Sequence, residues 1–265
     1  MAYIQMTFAA DTLKRWTDFD VILPVEKAGN PAAEKPEHFP TLYLLHGFSG
    51  NSKDWITYSG IRRYAEEHNI AVVMPSGENA FYVDNEEMGL YSGSFIKELV
   101  EFTRRVLPLS EKREDTFIGG LSMGGFGALR NGMLYSDMFS KIISLSGAFI
   151  IEDIAGAKEG SNVGMESYGY YRRIFGDLDH VEKTDKNPLI CAEQAAEKGN
   201  APKVMMACGT EDFLIENNRH VHAGLENMGI DIEYFEGPGT HNWDFWDGWI
   251  EKGMCWLDQK EGEWV

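Results

Sequence analysis

Short apolar runs alternate with longer amphipathic segments along most of the 265-residue chain. Runs such as AVVM and KIISL lack regular polar alternation, which is typical of strands buried on both faces of a parallel sheet. The pattern predicts about eight strands, over residues 3–8, 16–23, 41–45, 71–74, 116–119, 141–145, 203–207 and 231–235. It predicts helices over residues 61–68, 95–107, 124–135, 188–198, 214–228 and 245–257.

The order of these elements predicts an α/β fold class. Only a turn at residues 11–14 separates the first two strands, so we expect an antiparallel hairpin at one edge of the sheet. From residue 41 onward strands and helices alternate, which indicates crossover connections and a mostly parallel sheet. We therefore expect a three-layer α/β sandwich with helices on both faces of the sheet.

The chain shows no repeat and no dividing linker, which predicts a single domain over residues 1–265. Two segments, 76–94 and 149–185, are rich in Gly and Tyr and do not follow the strand–helix alternation. Long irregular segments in a compact domain are usually functional loops or caps. We expect a cap or lid insertion at about 149–185; an ordinary surface excursion is the alternative.

Composition narrows the classes of function. The formal charge is 24 − 42 = −18, which would repel phosphate backbones and anionic lipids, so we expect neither a nucleic-acid nor a membrane partner. No apolar run approaches a membrane span, and MAYIQMTFAADTLKRW carries charges where a signal peptide needs apolar residues. The three cysteines form no CxxC pair. Together these features predict a cytoplasmic protein with reduced thiols and no zinc site.

The segment GLSMG at residues 120–124 has the pattern G-x-S-x-G. A predicted strand precedes Ser122 and a predicted helix with a glycine-rich start follows it. A nucleophilic serine on a tight strand-to-helix turn needs glycine on both sides, because neighbouring side chains would collide there. The helix N-terminus also supplies free N–H groups near a developing oxyanion. A glycine-rich turn that only allows close helix packing is the alternative.

A serine nucleophile requires a histidine base and an acid, which in this arrangement follow the serine in the order acid, histidine. The strand KVMMAC ends at GTED, which places Asp212 at the edge where open α/β sheets bind ligands. The strand DIEYFE ends at GPGTHNW, which places His241 on the next loop at that edge. Glu211 competes with Asp212 for the role of the acid.

The other histidines are weaker candidates for the base. His220 and His222 fall within one predicted helix, where residues two apart face different sides. His38, His68 and His180 fall in loops or at a helix end and are expected to be solvated. We expect none of them to take part in catalysis.

The oxyanion of acyl transfer needs two donors. Met123, directly after the serine, provides one backbone N–H. The strand TLYLL runs into His46-Gly47-Phe48, where a sharp turn points the Phe48 N–H toward the same edge. A plain strand-to-loop turn is the alternative for these residues, and His46 itself is expected to be a hydrogen-bonded structural residue.

Five ordered blocks resemble the esterase D branch of the α/β-hydrolases, and within it the tributyrin esterase family of small bacterial carboxylesterases. The blocks are LLHGFSGNSKDW at 44–55, LYSGSFIKEL at 90–99, IGGLSMGGFGALR at 118–130, ACGTEDFL at 207–214 and GTHNWDFWDGWI at 239–250. The resemblance spans nearly the whole chain. It implies an α/β-hydrolase fold with Ser122 as nucleophile, Asp212 as acid, His241 as base, and Phe48 and Met123 as oxyanion donors.

The resemblance implies a serine carboxylesterase that hydrolyses short-chain acyl esters through an acyl-enzyme, without a cofactor or metal. The same branch contains acetylxylan esterases, feruloyl esterases and S-formylglutathione hydrolases, so these remain alternatives. S-formylglutathione hydrolases have His where Leu121 stands and a Cys near the oxyanion loop that is missing here. Their anionic substrate also suits a −18 protein poorly, unless Arg172 and Arg173 form a basic pocket.

The aromatic-rich loops are expected to shape a pocket for the acyl or alcohol part of the substrate. We expect Tyr82, Tyr91 and Trp243 to contact the substrate, with packing inside the loops as the alternative for each ring. The expected partner is a small-molecule ester, and a homo-oligomer, either a dimer or a tetramer, remains open.

Overall fold

The computed structural model describes residues 1–25 and 36–258, and an eight-stranded sheet runs through these residues. The sheet order is β1-β2-β4-β3-β5-β6-β7-β8. The strands are β1 Ala2–Ala10, β2 Arg15–Leu23, β3 Thr41–Leu45, β4 Ala71–Pro75, β5 Thr116–Leu121, β6 Lys141–Leu145, β7 Lys203–Gly209 and β8 Ile232–Gly237.

Strand pairing confirms the predicted sheet. β1 and β2 form an antiparallel hairpin that pairs Ala2 with Leu23 at one end and Ala10 with Arg15 at the other. β2 also pairs antiparallel with β4, and every later pair in the sheet is parallel. The carboxyl ends of β3 and of β5 to β8 therefore meet at one edge, where open α/β sheets bind ligands.

Helices cover both faces of the sheet. They are α1 Asp54–Tyr58, α2 Ile61–His68, α3 Ser92–Val106, α4 Met123–Leu134, α5 Ile151–Ile154, α6 Tyr168–Phe175, α7 Pro188–Glu197, α8 Ile215–Asn227 and α9 Trp243–Asp258. Side chains along one strand alternate between two apolar clusters: Ile142 belongs to the cluster that includes residues of α3, α4, α7 and α8, and Ile143 to the cluster that includes residues of α1, α2 and α9. The predicted three-layer sandwich is thus confirmed.

Three helices were not predicted. α1 and α5 span only five and four residues, too short to show a helical period. α6 has the sequence YGYYRRIF, in which Gly and the aromatic residues have low helix propensity. It forms because its apolar face is buried and because the Ser167 hydroxyl accepts a hydrogen bond from the Tyr170 N–H at its start.

The two irregular segments contain short secondary structure. Residues 76–94 hold a small hairpin, and residues 149–185 hold α5, a second small hairpin and α6. The predicted single domain over 1–265 includes residues 26–35 and 259–265, which lie outside the described residues. Within the described ranges, every helix is too short or too polar to cross a bilayer.

Candidate active site

Ser122 stands on the sharp turn between β5 and α4. Its backbone has φ 53° and ψ −119°, in the left-handed half of the Ramachandran map that residues with side chains rarely adopt. A Cβ on Gly120 would lie 2.5 Å from the Gly124 carbonyl carbon, and one on Gly124 would lie 2.5 Å from the Leu45 oxygen. Both glycines are therefore required by close backbone packing around the serine.

Hydrogen bonds hold this strained turn in place. The Ser122 N–H donates to the Leu145 oxygen at 2.8 Å. The Ser122 carbonyl accepts from the Ala148 N–H at 2.9 Å and from the Phe126 N–H at 3.0 Å. Strained residues persist only where their surroundings fix them in this way, and such residues cluster at functional sites.

Ser122, His241 and Asp212 form a hydrogen-bonded chain. His241 Nε2 lies 3.0 Å from Ser122 Oγ, and His241 Nδ1 lies 2.8 Å from Asp212 Oδ2. The three residues follow β5, β8 and β7, so the parallel sheet brings together positions up to 119 residues apart. The structure therefore places these predicted residues within direct hydrogen-bonding distance of one another.

The Asp212 side chain is fully buried but remains a good acceptor. Burial on its own raises the pKa of a carboxyl group, but hydrogen bonds from His241 and from the Leu214 N–H, the latter at 2.9 Å, outweigh burial and lower the pKa of Asp212. The carboxylate is thus charged at neutral pH, as is needed to orient and stabilise a protonated imidazole.

Glu211, the competing acid, braces the loop that carries His241. Its Oε2 accepts the Gly239 N–H at 2.6 Å, and its own N–H donates to the Gly239 oxygen at 3.0 Å. The hydrogen bond from Gly239 lowers the pKa of Glu211. Asp212, not Glu211, is the residue that contacts the His241 ring.

The loop after β3 lies against the nucleophile. A Cβ on Gly47 would lie 2.6 Å from the Leu121 side chain and 3.5 Å from the Ser122 Cβ, so only glycine allows this approach. Among the described residues, the backbone N–H groups of Phe48 and Met123 have no hydrogen-bond partner. Unpaired donors beside a nucleophile, one of them at the start of α4, can stabilise an oxyanion.

His46 is a structural residue. Its Nδ1 lies 2.7 Å from the Gly47 oxygen, and its Nε2 lies 2.9 Å from the Gly77 nitrogen. Because the Gly77 N–H is a donor, Nε2 must accept, so the proton is on Nδ1. Burial lowers the pKa of His46, in keeping with a neutral ring. Both ring nitrogens are occupied, which excludes His46 as a second base.

Ser122 and His241 open into a cavity of about 660 Å³. Trp243 lines it, as predicted. Tyr58, Met165 and Phe213 are each more than half exposed at its rim. The other described lining residues are Gly47, Phe48, Ser49, Gly50, Asn51, Asp54, Leu121 and Trp246.

Two of the predicted substrate contacts lie elsewhere. Tyr82 is fully buried, and its hydroxyl donates to the His46 oxygen at 3.1 Å. Its ring fills the space that the missing side chains of Gly77 and Gly127 leave free, and its hydroxyl holds the chain two residues before Phe48. Tyr91 is half-buried at the start of α3 and is not among the cavity residues.

Several cavity residues were missed in the sequence. Phe213 directly follows Asp212, and its ring lies 4.7 Å from that of His241. The Trp246 ring packs edge-on against His241, with ring centroids 4.8 Å apart. Asp54 adds a carboxyl group to the wall, and burial raises its pKa. In the sequence, the only sign of Phe213 and Trp246 was their position, in DFL at the predicted acid and in NWDFW directly after the predicted base.

The remaining histidines lie outside the cavity, and His38 and His180 are exposed, as expected. The His68 side chain is 18% exposed, which corrects the expectation of a solvated ring there, and four of these histidines have a carboxylate oxygen within 4 Å. The pairs are His68–Asp258, His180–Asp177, His220–Glu152 and His222–Glu226. Within residues 1–25 and 36–258, no group of three or more His, Cys, Asp or Glu side chains could hold a metal ion.

Comparisons with known proteins agree with this geometry. The sequence matches the Esterase family, described as "Putative esterase", over residues 11–255. An acetyl esterase from Caldicellulosiruptor saccharolyticus is 46% identical over 264 residues, covering 98% of this chain and 99% of that protein.

Two solved structures from Staphylococcus aureus have similar folds. The fluorophosphonate-binding serine hydrolase FphF aligns with a TM-score of 0.85 and 29% identity, covering 98% of this chain and 99% of that one. The S-formylglutathione hydrolase FrmB aligns with a TM-score of 0.82 and 28% identity, covering 97% and 99% of the two chains.

Proposed function

The chain belongs to the esterase family, has the α/β-hydrolase fold and is a carboxylic ester hydrolase, and from this premise we propose that it cleaves short-chain acyl esters through a Ser122 acyl-enzyme. The observation that carries this proposal is the chain of contacts from Ser122 Oγ through His241 to Asp212 at the cavity. A nucleophile, a base and an orienting acid in this order are the requirements of acyl transfer.

The proposed cycle has two acyl-transfer steps. His241 Nε2 takes the Ser122 proton as Oγ attacks the ester carbonyl, and the Phe48 and Met123 N–H groups hold the oxyanion. His241 then protonates the alcohol as it leaves, which yields the acyl-enzyme. A water molecule, deprotonated by His241, attacks the acyl-enzyme, and Ser122 regains its proton as the acid is released.

Short acyl groups suit the cavity described above. Its wall places Asp54, Asn51 and Ser49 among the aromatic and aliphatic side chains, and a long acyl chain laid over these polar groups would cover them without offering hydrogen bonds. The 46% identical acetyl esterase supports the same size class.

A nitrophenyl ester series from acetyl to decanoyl, run below micelle formation, tests this assignment. We expect kcat/KM to reach a maximum between acetyl and butyryl and then to fall. Each buried CH₂ is worth roughly 0.8 kcal/mol, so a rise that continues to decanoyl would overturn the short-acyl assignment.

The cavity argues against an anionic thioester such as S-formylglutathione. No lysine or arginine is among the described residues that line it, whereas Asp54 is. The basic pocket considered from the sequence does not lie there either, because Arg172 lines a separate cavity together with Glu159. Neutral esters therefore remain the best candidates.

A specific feature favours acylated oligosaccharides as a second candidate. The rings of Tyr58 and Trp243 lie 5.2 Å apart and 34° from parallel on the wall that also holds Asp54. Aromatic rings give the apolar faces of sugars a large contact area, and a carboxylate accepts hydrogen bonds from hydroxyl groups. Acetylated xylo-oligosaccharides and methyl ferulate, assayed beside nitrophenyl acetate, test this candidate.

We place the reaction in the cytoplasm, in keeping with free thiols at all three cysteines.

A further inference from the structure

Asn79 links the loop that carries Phe48 to the predicted cap at residues 149–185. Its side-chain oxygen Oδ1 accepts a hydrogen bond from the Ser49 N–H at 2.7 Å. Its backbone oxygen accepts a hydrogen bond from the Tyr170 hydroxyl of α6 at 2.8 Å. Asn79 is exposed and is not among the described residues that line the cavity. It therefore holds the loop next to the proposed oxyanion donor from outside the cavity.

This loop turns sharply after Gly47. The Gly50 N–H donates to the Gly47 oxygen at 3.1 Å, so residues 47–50 form a β-turn. Ser49, at the third position of the turn, has a φ of 63°, whereas Phe48, at the second position, has a negative φ. This combination is typical of a type II turn, whose third position favours glycine. Ser49 is thus held in a conformation that residues with a side chain rarely adopt.

The Asn79 side chain stabilises the strained part of the turn. The Ser49 N–H belongs to the central peptide of the turn, which the hydrogen bond between Gly50 and Gly47 does not involve. By accepting this N–H, Asn79 opposes rotation of the central peptide to the type I turn, which suits serine better. The Phe48 N–H lies one peptide earlier in the same turn. Holding the turn therefore fixes where this donor points.

The helix α6 in turn holds Asn79. Besides the bond from the Tyr170 hydroxyl, the Asn85 side chain on the same loop as Asn79 donates to the Arg173 oxygen of α6 at 2.8 Å. The Tyr170 ring also packs edge-on against the Phe48 ring, with ring centroids 5.8 Å apart. The predicted cap is thus connected to the turn both through Asn79 and by direct ring contact.

We propose that Asn79 is a positioning residue for the oxyanion hole and that the Tyr170 hydroxyl acts through it. The Asn79 side chain fixes the turn that presents the Phe48 N–H, and the Tyr170 hydroxyl fixes the Asn79 backbone. The inference rests on the proposed function, which assigns the Phe48 N–H its role. It gives the cap a part in the reaction that requires no contact with the substrate.

Asn79→Ala tests this role, because it removes the acceptor at an exposed position. We expect kcat/KM for nitrophenyl acetate to fall by roughly 10-fold, less than for complete loss of an oxyanion donor, since the Phe48 N–H is displaced and not removed. KM should stay within about two-fold of the wild-type value, because Asn79 does not line the cavity. The inhibition constant of a trifluoromethyl ketone, whose adduct with Ser122 carries an oxyanion, should rise by the same factor as kcat/KM falls.

Two further variants test how the effect reaches the turn. Glycine adopts a positive φ without strain, so Ser49→Gly in the Asn79→Ala background should restore part of the lost kcat/KM. Tyr170→Phe removes the hydroxyl and keeps the ring against Phe48. It should lower kcat/KM by roughly two- to five-fold in the wild-type background and have little further effect in the Asn79→Ala background.

Glu78→Gln is the matched control. Glu78 directly precedes Asn79, and its carboxylate pairs with Arg15 of β2 at 2.9 Å. The variant weakens the same loop but leaves the acceptor of the Ser49 N–H in place, so it should keep the wild-type kcat/KM and inhibition constant.

The proposal is overturned if Asn79→Ala behaves like Glu78→Gln, if it raises KM and leaves kcat unchanged, or if Ser49→Gly restores nothing. Equal losses from Tyr170→Phe in both backgrounds would refute its action through Asn79. Failure of the proposed function itself looks different: Ser122→Ala would then retain esterase activity, and the trifluoromethyl ketone would not inhibit the wild-type protein.

Discussion

Ser122 combines a strained backbone with a hydroxyl aimed at His241. A residue held at such dihedral angles costs of order 1–3 kcal/mol, which the surrounding structure must supply. Here the Leu145, Ala148 and Phe126 hydrogen bonds fix the turn from three directions. The turn places the Ser122 hydroxyl at the sheet edge, beside the start of α4. The Met123 N–H at this helix start has no hydrogen-bond acceptor among the described residues.

Ser122→Ala should abolish ester hydrolysis without harming the fold. Alanine removes only the Oγ that lies 3.0 Å from His241 Nε2, and loss of a triad nucleophile typically lowers kcat by roughly 10⁴-fold or more. Steady-state hydrolysis of nitrophenyl acetate, with circular dichroism as the check on folding, measures this effect. A variant that keeps more than a few per cent of activity would contradict the nucleophile assignment.

His46 should make stability depend on mildly acidic pH. Burial depresses the pKa of His46 in the folded protein, whereas the unfolded chain has the reference value of about 6.5. Below about pH 6.5 the unfolded state therefore binds a proton at His46 that the folded state does not bind. The contribution of His46 to the free energy of unfolding is complete above this pH and is lost as the pH falls toward the folded-state pKa.

Urea unfolding between pH 5 and pH 8 measures this dependence. The urea concentration at the midpoint of unfolding of the wild-type protein should decrease as the pH is lowered across this range. In His46→Gln, which has no ring to protonate, the fall should be shallower even though the variant is less stable throughout. Equal slopes for the two proteins would show that folding does not lower the pKa of His46.

The sequence was sufficient to predict which residues meet at the site. Ser122, Asp212 and His241 each follow a predicted strand, and parallel strands bring such positions to one edge. It was not sufficient for Tyr82, because a tyrosine in a glycine-rich segment can face a cavity or fill the gaps beside the glycines. The contact of Tyr82 with Gly77 and Gly127 depends on tertiary packing that no local pattern encodes.

Among the secondary structure elements, predictability followed length and periodicity. All eight strands of the sheet and the six predicted helices agree with prediction to within three residues at either end, whereas α6, as long as α2, was missed because its Gly and aromatic residues have low helix propensity. The short helix α1 was missed although it supplies Asp54 and Tyr58 to the cavity wall. Its stability comes from burial of Trp55, whose indole N–H donates to the Leu45 oxygen at 3.1 Å, and not from propensity.

A buried arginine on α4 holds the end of the 149–185 segment. Arg130 is 1% exposed, and its guanidinium binds the Asp185 carboxylate at 2.5 Å, the Asp185 carbonyl at 2.8 Å and the Asn131 side chain at 2.9 Å. The segment supplies Met165 to the cavity rim. The α4 helix that begins at the nucleophile therefore also anchors the proposed cap.

Arg130→Met should destabilise the protein by roughly 1–3 kcal/mol, because it leaves the buried Asn131 side-chain oxygen without its donor, whereas water can reach the half-exposed Asp185 carboxylate. Arg130→Lys keeps the charge but lacks the planar guanidinium that donates to three acceptors. It should therefore restore only part of the lost free energy of unfolding. Urea unfolding of both variants gives the free energies. A full recovery by lysine would mean that charge alone, without the fork geometry, holds the segment.

At the scale of the whole molecule, net charge and cavity charge have the same sign. The chain carries −18, and Asp54 adds a carboxyl group to the cavity. The field of such a surface repels anionic substrates during approach and leaves neutral ones unaffected. The molecule is therefore electrostatically suited to neutral esters at two levels, long-range encounter and local contact.

This arrangement predicts a dependence on salt that distinguishes substrates. At low ionic strength the repulsion of an anion reaches far into solution, and at 0.1 M salt it is screened beyond about 10 Å. Raising the ionic strength from about 0.01 M to 0.3 M should therefore increase kcat/KM for S-formylglutathione by roughly two- to five-fold, while kcat/KM for nitrophenyl acetate stays constant within experimental error.

Asp54→Asn should raise kcat/KM for the anionic substrate at every salt concentration and leave a smaller salt effect, since it removes the local charge but not the field of the net charge. If salt instead slowed hydrolysis of the anion, a positive field would have to surround the cavity mouth, and the preference for neutral esters would be refuted.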